Sequence, residues 1–143
     1  MTLLDVNLLV ALCDADHVHH RQAKQWFRTH AGLGWATCPL TENGLLRIMG
    51  SPAYPGGPGS PEGVRPLLQR LRALPGHQFW QDSISAADSR ALPSLQGVTS
   101  RQLTDVYLLA LAVHRGGNLA TLDARIDPAR VPGGPQALVV VPH

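Results

Sequence analysis

The chain is short of most features that announce a function directly. It has two cysteines in 143 residues, Cys13 and Cys38. They sit in apolar surroundings and in no CxxC or other metal-type spacing, which argues against a disulfide scaffold and for buried, reduced thiols in a cytoplasmic protein. Long hydrophobic runs are missing as well. The longest, Val106 to Val113, falls far below the roughly 20 residues that a membrane helix needs. The opening Met1-Thr2-Leu3-Leu4-Asp5 lacks a basic segment followed by a long apolar stretch, so no signal peptide is expected. Neither G-x-G-x-x-G nor the P-loop pattern occurs, and the glycines near Gly57 follow no strand, which excludes the common dinucleotide and nucleoside-triphosphate sites. Lysine is almost absent: one, Lys24, against eleven arginines. Arginine suits bidentate phosphate contacts, although a skewed genomic base composition gives the same bias. A net charge of +2 does not by itself indicate nucleic acid. The acids are few, eight Asp and two Glu, so their positions carry the argument.

What is present is globular. Apolar residues make up 44% of the chain and charged residues 15%, and the length fits a single domain over 1–143 with a core that needs no cross-links. Thr2 to Asp5 reads as a buried strand, and Val6 to Leu12 as an apolar helix stopped by Asp14 and Asp16. A second helix is expected from an Asp16 cap to His30, with Ala23, Trp26 and Phe27 on its apolar face. Trp35 to Cys38 reads as a strand, and a helix then starts at Pro39 and runs to Met49. Gly50 to Gly63 is the clearest loop, too rich in Gly and Pro for regular hydrogen bonding and expected to be mobile. The next helix has Pro66, which places its start near Gly63 or later. His77 to Trp80 is a weak strand, and Ser83 to Gln96 is ambiguous. Thr104 to Arg115 is the firmest helix, capped by Thr104 and apolar nearly all round, hence buried. Asn118 to Leu122 and Ala137 to Val141 complete five strands. Strands alternating with helices predict an α/β fold, a mostly parallel five-stranded sheet with helices on both faces.

Four acids then fall at equivalent places. Asp5 ends the first strand, Glu42 opens the helix after the second, Asp105 opens the buried helix, and Asp123 follows the fourth strand. In an open parallel sheet these places lie at the carboxyl ends of the strands, where such folds bind ligands. Glu42 and Asp105 taken singly are ordinary first-turn acids, and Asp123 suits a turn. Asp5 is harder to dismiss, because a lone carboxylate in a buried strand is costly. Two carboxylates about 5 Å apart repel by roughly 3 kcal/mol at an effective dielectric of 20, so several together call for a cation or a shared proton. The donors are hard oxygens with no His or Cys among them, which favours Mg2+ or Mn2+ over zinc.

The residues that carry these acids resemble a known family. Leu3-Leu4-Asp5-Val6-Asn7 is similar to the opening of PIN domains, as are Leu40-Thr41-Glu42, the run Val98 to Ala112 around Asp105, and Leu119-Ala120-Thr121-Leu122-Asp123. The arrangement is similar to VapC-type toxins over nearly the whole chain. The resemblance implies a PIN-like three-layer sandwich and an endoribonuclease that cuts structured RNA to leave a 5′-phosphate. It implies Asp5, Glu42, Asp105 and Asp123 as the catalytic quartet, with Asp5, Asp105 and Asp123 on Mg2+ or Mn2+. Asn7, Thr104 and Thr121 fall where the family often has supporting polar groups. Expected partners are RNA, a VapB-type antitoxin lying against the second and third helices, and a second copy of the chain in a homodimer, with no membrane. Arg47, Arg101 and Arg125 flank the acids in sequence and are candidate RNA contacts. His17, His19 and His20 read as a helix start, with one ring packing under Trp26, and not as a metal site. Asp82, Asp88 and Asp127 read as solvated turn acids. A phospho-acceptor receiver domain is excluded, since the only lysine is Lys24. A non-catalytic scaffold of the same fold and a DNA-directed nuclease are the alternatives.

Overall fold

The computed structural model describes all residues, 1–143. Its centre is a sheet of five parallel strands in the order β3-β2-β1-β4-β5. The strands are β1 (Thr2–Leu4), β2 (Trp35–Thr37), β3 (His77–Phe79), β4 (Asn118–Thr121) and β5 (Leu138–Val140). All pairs being parallel, every strand delivers its carboxyl end to the same edge. The register sets Leu4 beside Ala120 and Thr121 beside Val140, and the Asp5 N–H continues the ladder to the Ala120 carbonyl at 2.9 Å.

The two faces are covered by different helices. One apolar cluster joins Leu4, Trp35 and Ala120 to α1 (Val6–Cys13), α2 (His20–His30), α3 (Pro39–Met49) and α4 (Pro61–Arg72). The other joins Leu3, Ala36 and Leu119 to α5 (Leu103–His114) and the one-turn α6 (Gly134–Ala137). This alternation follows from the two-residue period of a strand buried on both sides. Packing of α3 on α1 is close at Gly44, where an added Cβ would stand 2.7 Å from a Val6 methyl. A side chain there would push apart the two helices that follow Asp5 and carry Glu42.

Several element boundaries differ from those the sequence suggests. Helix α2 starts at His20, not at Asp16. Asp14 takes the intervening residues into turns, accepting the Asp16 N–H on its side chain and the His17 N–H on its carbonyl. Helix α4 starts at Pro61 under a Ser60 cap, with Pro66 inside it. The hydrogen bond that Pro66 cannot make would have used the Glu62 carbonyl, which lies in the exposed first turn and can be solvated. Helix α5 starts at Leu103 with Gln102 at the N-cap position and no side-chain cap, and Thr104 lies within its first turn, exposed. Ser83 to Gln96 forms turns and bends only.

The Gly/Pro segment, expected to be mobile, is mostly exposed but has turns and one side-chain anchor of its own. Its backbone closes turns at Ser51–Tyr54 and Tyr54–Gly57. The Tyr54 ring packs on the core, and its hydroxyl donates to Asp14 Oδ2 at 2.5 Å. The ring stacked on Trp26 belongs to His30, at 4.4 Å between centroids, and not to the histidines before α2. His20 instead reaches the Ala11 carbonyl, and His19 meets His143 edge-on.

Candidate active site

Asp5 is the pivot of the carboxyl edge. It is the residue at which β1 stops and α1 begins, and its Oδ1 accepts the Val6 N–H at 2.7 Å. Its Oδ2 accepts the Thr121 hydroxyl at 2.8 Å. Only 3% of the residue is exposed, so the carboxylate is held from both sides in a place poor in water. Burial raises its pKa, against the lowering effect of those two hydrogen bonds, and the Asp123 charge raises it further.

Thr121 links the acids. Besides donating to Asp5, its hydroxyl oxygen accepts the Asn7 side-chain amide at 3.0 Å and the Asp123 N–H at 3.1 Å. Asn7 closes the loop by accepting the Leu122 N–H at 3.0 Å. The ends of β1 and β4 are thereby fixed to each other by side chains as well as by the ladder. Each Asp5 oxygen carries one hydrogen bond and keeps a lone pair.

Asp105 arrives from α5, in the first turn. Its pKa is raised to about 6, by burial first and then by the charges of Asp5 and Asp123, with Arg125 opposing. Asp123 is shifted the other way, because the Arg125 side chain donates to it. Arg125 Nε lies 3.0 Å from Asp123 Oδ1 and Nη2 lies 3.3 Å from Oδ2. Asp105 and Asp123 line a cleft of about 310 Å³ whose walls include Arg101, Arg125 and Arg130.

Glu42 has partners of its own. Its Oε2 accepts the Thr37 hydroxyl at 2.6 Å and its Oε1 is 3.3 Å from Arg72 Nη1. Thr37 is also 2.7 Å from His77 Nε2, so the fourth acid belongs to a polar chain that runs toward β3. Of the other sequence candidates, Arg101 and Arg125 line the cleft, whereas Arg47 is exposed on α3 and does not. Asn7 and Thr121 touch the acid network directly, but Thr104 is exposed and makes no side-chain hydrogen bond. Sequence reading missed Arg130, which donates to the Gln96 carbonyl at 2.6 Å and so braces one wall of the cleft. It missed Arg72 and His77 as companions of Glu42 too; only the fold brings those segments together.

As the side chains stand, no group of three or more His, Cys, Asp or Glu is placed to hold a metal ion. The chemistry of the donors nevertheless suits a divalent cation. Asp5 and Asp105 are both shifted toward protonation by burial and by neighbouring negative charge, and a hard cation relieves both causes. The one ion pair these three acids make is that of Asp123 with Arg125, which donates to both of its oxygens.

A family model for the PIN domain matches residues 2–132. The chain belongs to the PIN domain family. It is 46% identical over 127 residues to Ribonuclease VapC38 of Mycobacterium tuberculosis (strain ATCC 25618 / H37Rv), covering 88% of this chain and 87% of that protein. It is 41% identical over 131 residues to Ribonuclease VapC44 of the same organism, covering 92% of each. Among solved structures, Mycobacterium tuberculosis VapC20, described as a sarcin-ricin loop cleaving toxin, superposes with a TM-score of 0.63. That match covers 92% of this chain and 97% of the other at 14% identity, and so speaks for the fold alone. As a PIN domain, the chain has its acids where the sheet topology alone would put a site: Asp5 and Asp123 just past strand ends, and Asp105 in the first turn of α5. No helix is long and apolar enough to cross a membrane.

Proposed function

We propose that this PIN domain is a metal-dependent endoribonuclease of the VapC toxin kind, cutting phosphodiester bonds in structured RNA in the cytoplasm and held in check by a VapB-type antitoxin. The observation that carries the reading is the trio of Asp5, Asp105 and Asp123, mutually charged and partly buried beside a cleft walled by arginines. The ribonuclease names of relatives at 41–46% identity support it.

In this reading Asp5, Asp105 and Asp123 hold Mg2+ or Mn2+. Such a cation supplies positive charge for the phosphate oxygens and activates water for attack. The chain's own residues prepare the place. Thr121 and the Val6 N–H aim the Asp5 carboxylate, and Asn7 keeps Thr121 in position. Arg101, Arg125 and Arg130 favour a polyanion at the cleft and keep the phosphodiester beside the acids. Glu42, engaged by Thr37 and Arg72, is a catalytic residue that does not ligate the cation.

The direct test is incubation of the purified chain with a structured RNA and with duplex DNA, each with Mn2+, with Mg2+ and with chelator. Cleavage of RNA only, with metal only, leaving 5′-phosphate ends, is the expected result. Cleavage that persists in chelator, or that prefers DNA, contradicts the proposal.

A further inference from the structure

Helix α2 carries an unpaired basic face. Its eleven residues, His20–His30, contain Arg21, Lys24 and Arg28 and no acid. Ala23 and Trp26 point inward and are buried, so the apolar stripe of this helix is used inside the fold. The free side is different in kind. Arg21, Lys24 and Arg28 are exposed at i, i+3 and i+7, which sets them along one side of the helix over about 10 Å. None of the three takes part in an ion pair, whereas Arg65, Arg72, Arg90 and Arg125 all do.

The position of this face relative to the acids gives it meaning. Asp123 and Arg125 line the cleft and also line a shallow pocket that includes His17 and His19. His19 runs directly into α2. Arg101 and Arg130 stand on the cleft's own walls. A strand lying through the cleft and leaving past Arg125 reaches the start of α2 on its His19 side, and crosses that end of the helix to meet Arg21, Lys24 and Arg28 on the opposite, outer side.

We propose that Arg21, Lys24 and Arg28 form a backbone track for RNA, contacting phosphates some nucleotides away from the bond that is cut. The proposal rests on the ribonuclease reading above. Regularly spaced cations without an apolar centre fit phosphates, which recur along a strand. A protein interface of this size has aromatic or aliphatic anchors at its core, and this face has none. Contacts of this kind add affinity and salt dependence without reading bases.

The experiment uses a fluorescent RNA hairpin with single-stranded tails, bound to Asp105→Asn protein with Mg2+ present, from 50 to 250 mM KCl. The triple variant Arg21→Ala/Lys24→Ala/Arg28→Ala in that background is expected to bind at least tenfold more weakly at low salt. Its slope of log affinity against log salt should be flatter by about 2, at roughly 0.7 per single-strand phosphate contact. The same three positions changed to Gln should behave alike, and Arg65→Ala/Arg70→Ala on α4 should change little. Equal affinity and slope in the parent and the triple variant overturn the track but not the ribonuclease reading. So does an equal loss in the α4 control, which makes the effect one of net charge. If RNA binding is unchanged while capture of a co-expressed protein partner is lost, the face belongs to that protein. If the Asp105→Asn parent binds no RNA, both readings fall.

Discussion

Asp123 and Arg125 are joined by three bonds across two residues: the Arg125 N–H at 2.9 Å, its Nε at 3.0 Å and its Nη2 at 3.3 Å. The same set recurs at Asp88 and Arg90, at 2.9, 3.2 and 3.3 Å, in a loop away from the cleft. The fork is thus a property of the Asp-x-Arg turn and needs no site to form. In the cleft it has a consequence, because a cation that takes Asp123 as ligand competes with Arg125 for the same oxygens. The Arg125 side chain is 91% exposed, so letting go costs little, and the freed guanidinium can turn to RNA phosphate.

Arg125→Ala is therefore expected to bind Mn2+ more tightly than wild type by several-fold, and RNA more weakly. Arg125→Lys, which keeps the charge and loses the fork, should fall between. Titration calorimetry with Mn2+ checks this, with Arg90→Ala as the control that should not differ from wild type. An unchanged Mn2+ affinity in Arg125→Ala means that the fork does not compete.

The raised pKa of Asp105 makes metal-free stability depend on pH. The folded form holds this proton more tightly than the unfolded form, so the contribution is fully present below 3.8 and is lost as pH rises through about 6. At 1.36 kcal/mol per pH unit, discounted for a half-exposed group, the loss is about 1–2 kcal/mol. Asp123, shifted downward, acts in a lower window and in the opposite sense. Urea midpoints in chelator between pH 4 and 7 should fall less steeply for Asp105→Asn than for wild type, the slope that remains in the variant coming from Asp5, whose pKa is raised as well.

Glu42→Gln separates catalysis from metal binding. Its carboxylate is held by Thr37 and Arg72, so Mn2+ affinity should stay within about twofold of wild type while the cleavage rate drops at least tenfold. Equal losses of both make Glu42 a cation ligand that must swing away from Arg72.

Tyr54→Phe tests the latch on the Gly/Pro segment. The ring stays packed, but the hydrogen bond to Asp14 is lost, worth about 1 kcal/mol for a partly exposed bond to a charged acceptor. The melting temperature should fall by about 2–5 °C, with faster amide exchange around residues 51–57. No change in either shows that the turns alone hold the segment.

The fold and the three aspartates were legible in the sequence for a simple reason. Once β1 and β4 are read as buried parallel strands, Asp5 and Asp123 can only emerge at their carboxyl ends, and an all-round apolar α5 has to bring Asp105 in with it. Glu42 was legible as a position but not as a direction, since Arg72, which donates to it, and His77, which meets its other partner Thr37, come from α4 and β3, thirty or more residues later. Arg130 was hidden likewise by its distance from Gln96. The start of α2 was misplaced because an aspartate before a helix can cap it or make its own turn, and Asp14 forms the turn. Pro66 misled because an interior proline is tolerated where the orphaned carbonyl faces water.

The central claim, that Asp105 is a cation ligand in a crowded carboxylate set, is tested most directly by four melting curves: wild type and Asp105→Asn, each with chelator and with excess Mg2+. In chelator the variant should melt higher, because burial and repulsion of a charge are relieved. With Mg2+ at about 100 times its dissociation constant, wild type should gain about 2.7 kcal/mol and the variant far less, so the order reverses. Equal stabilisation of both proteins by Mg2+ would contradict the claim.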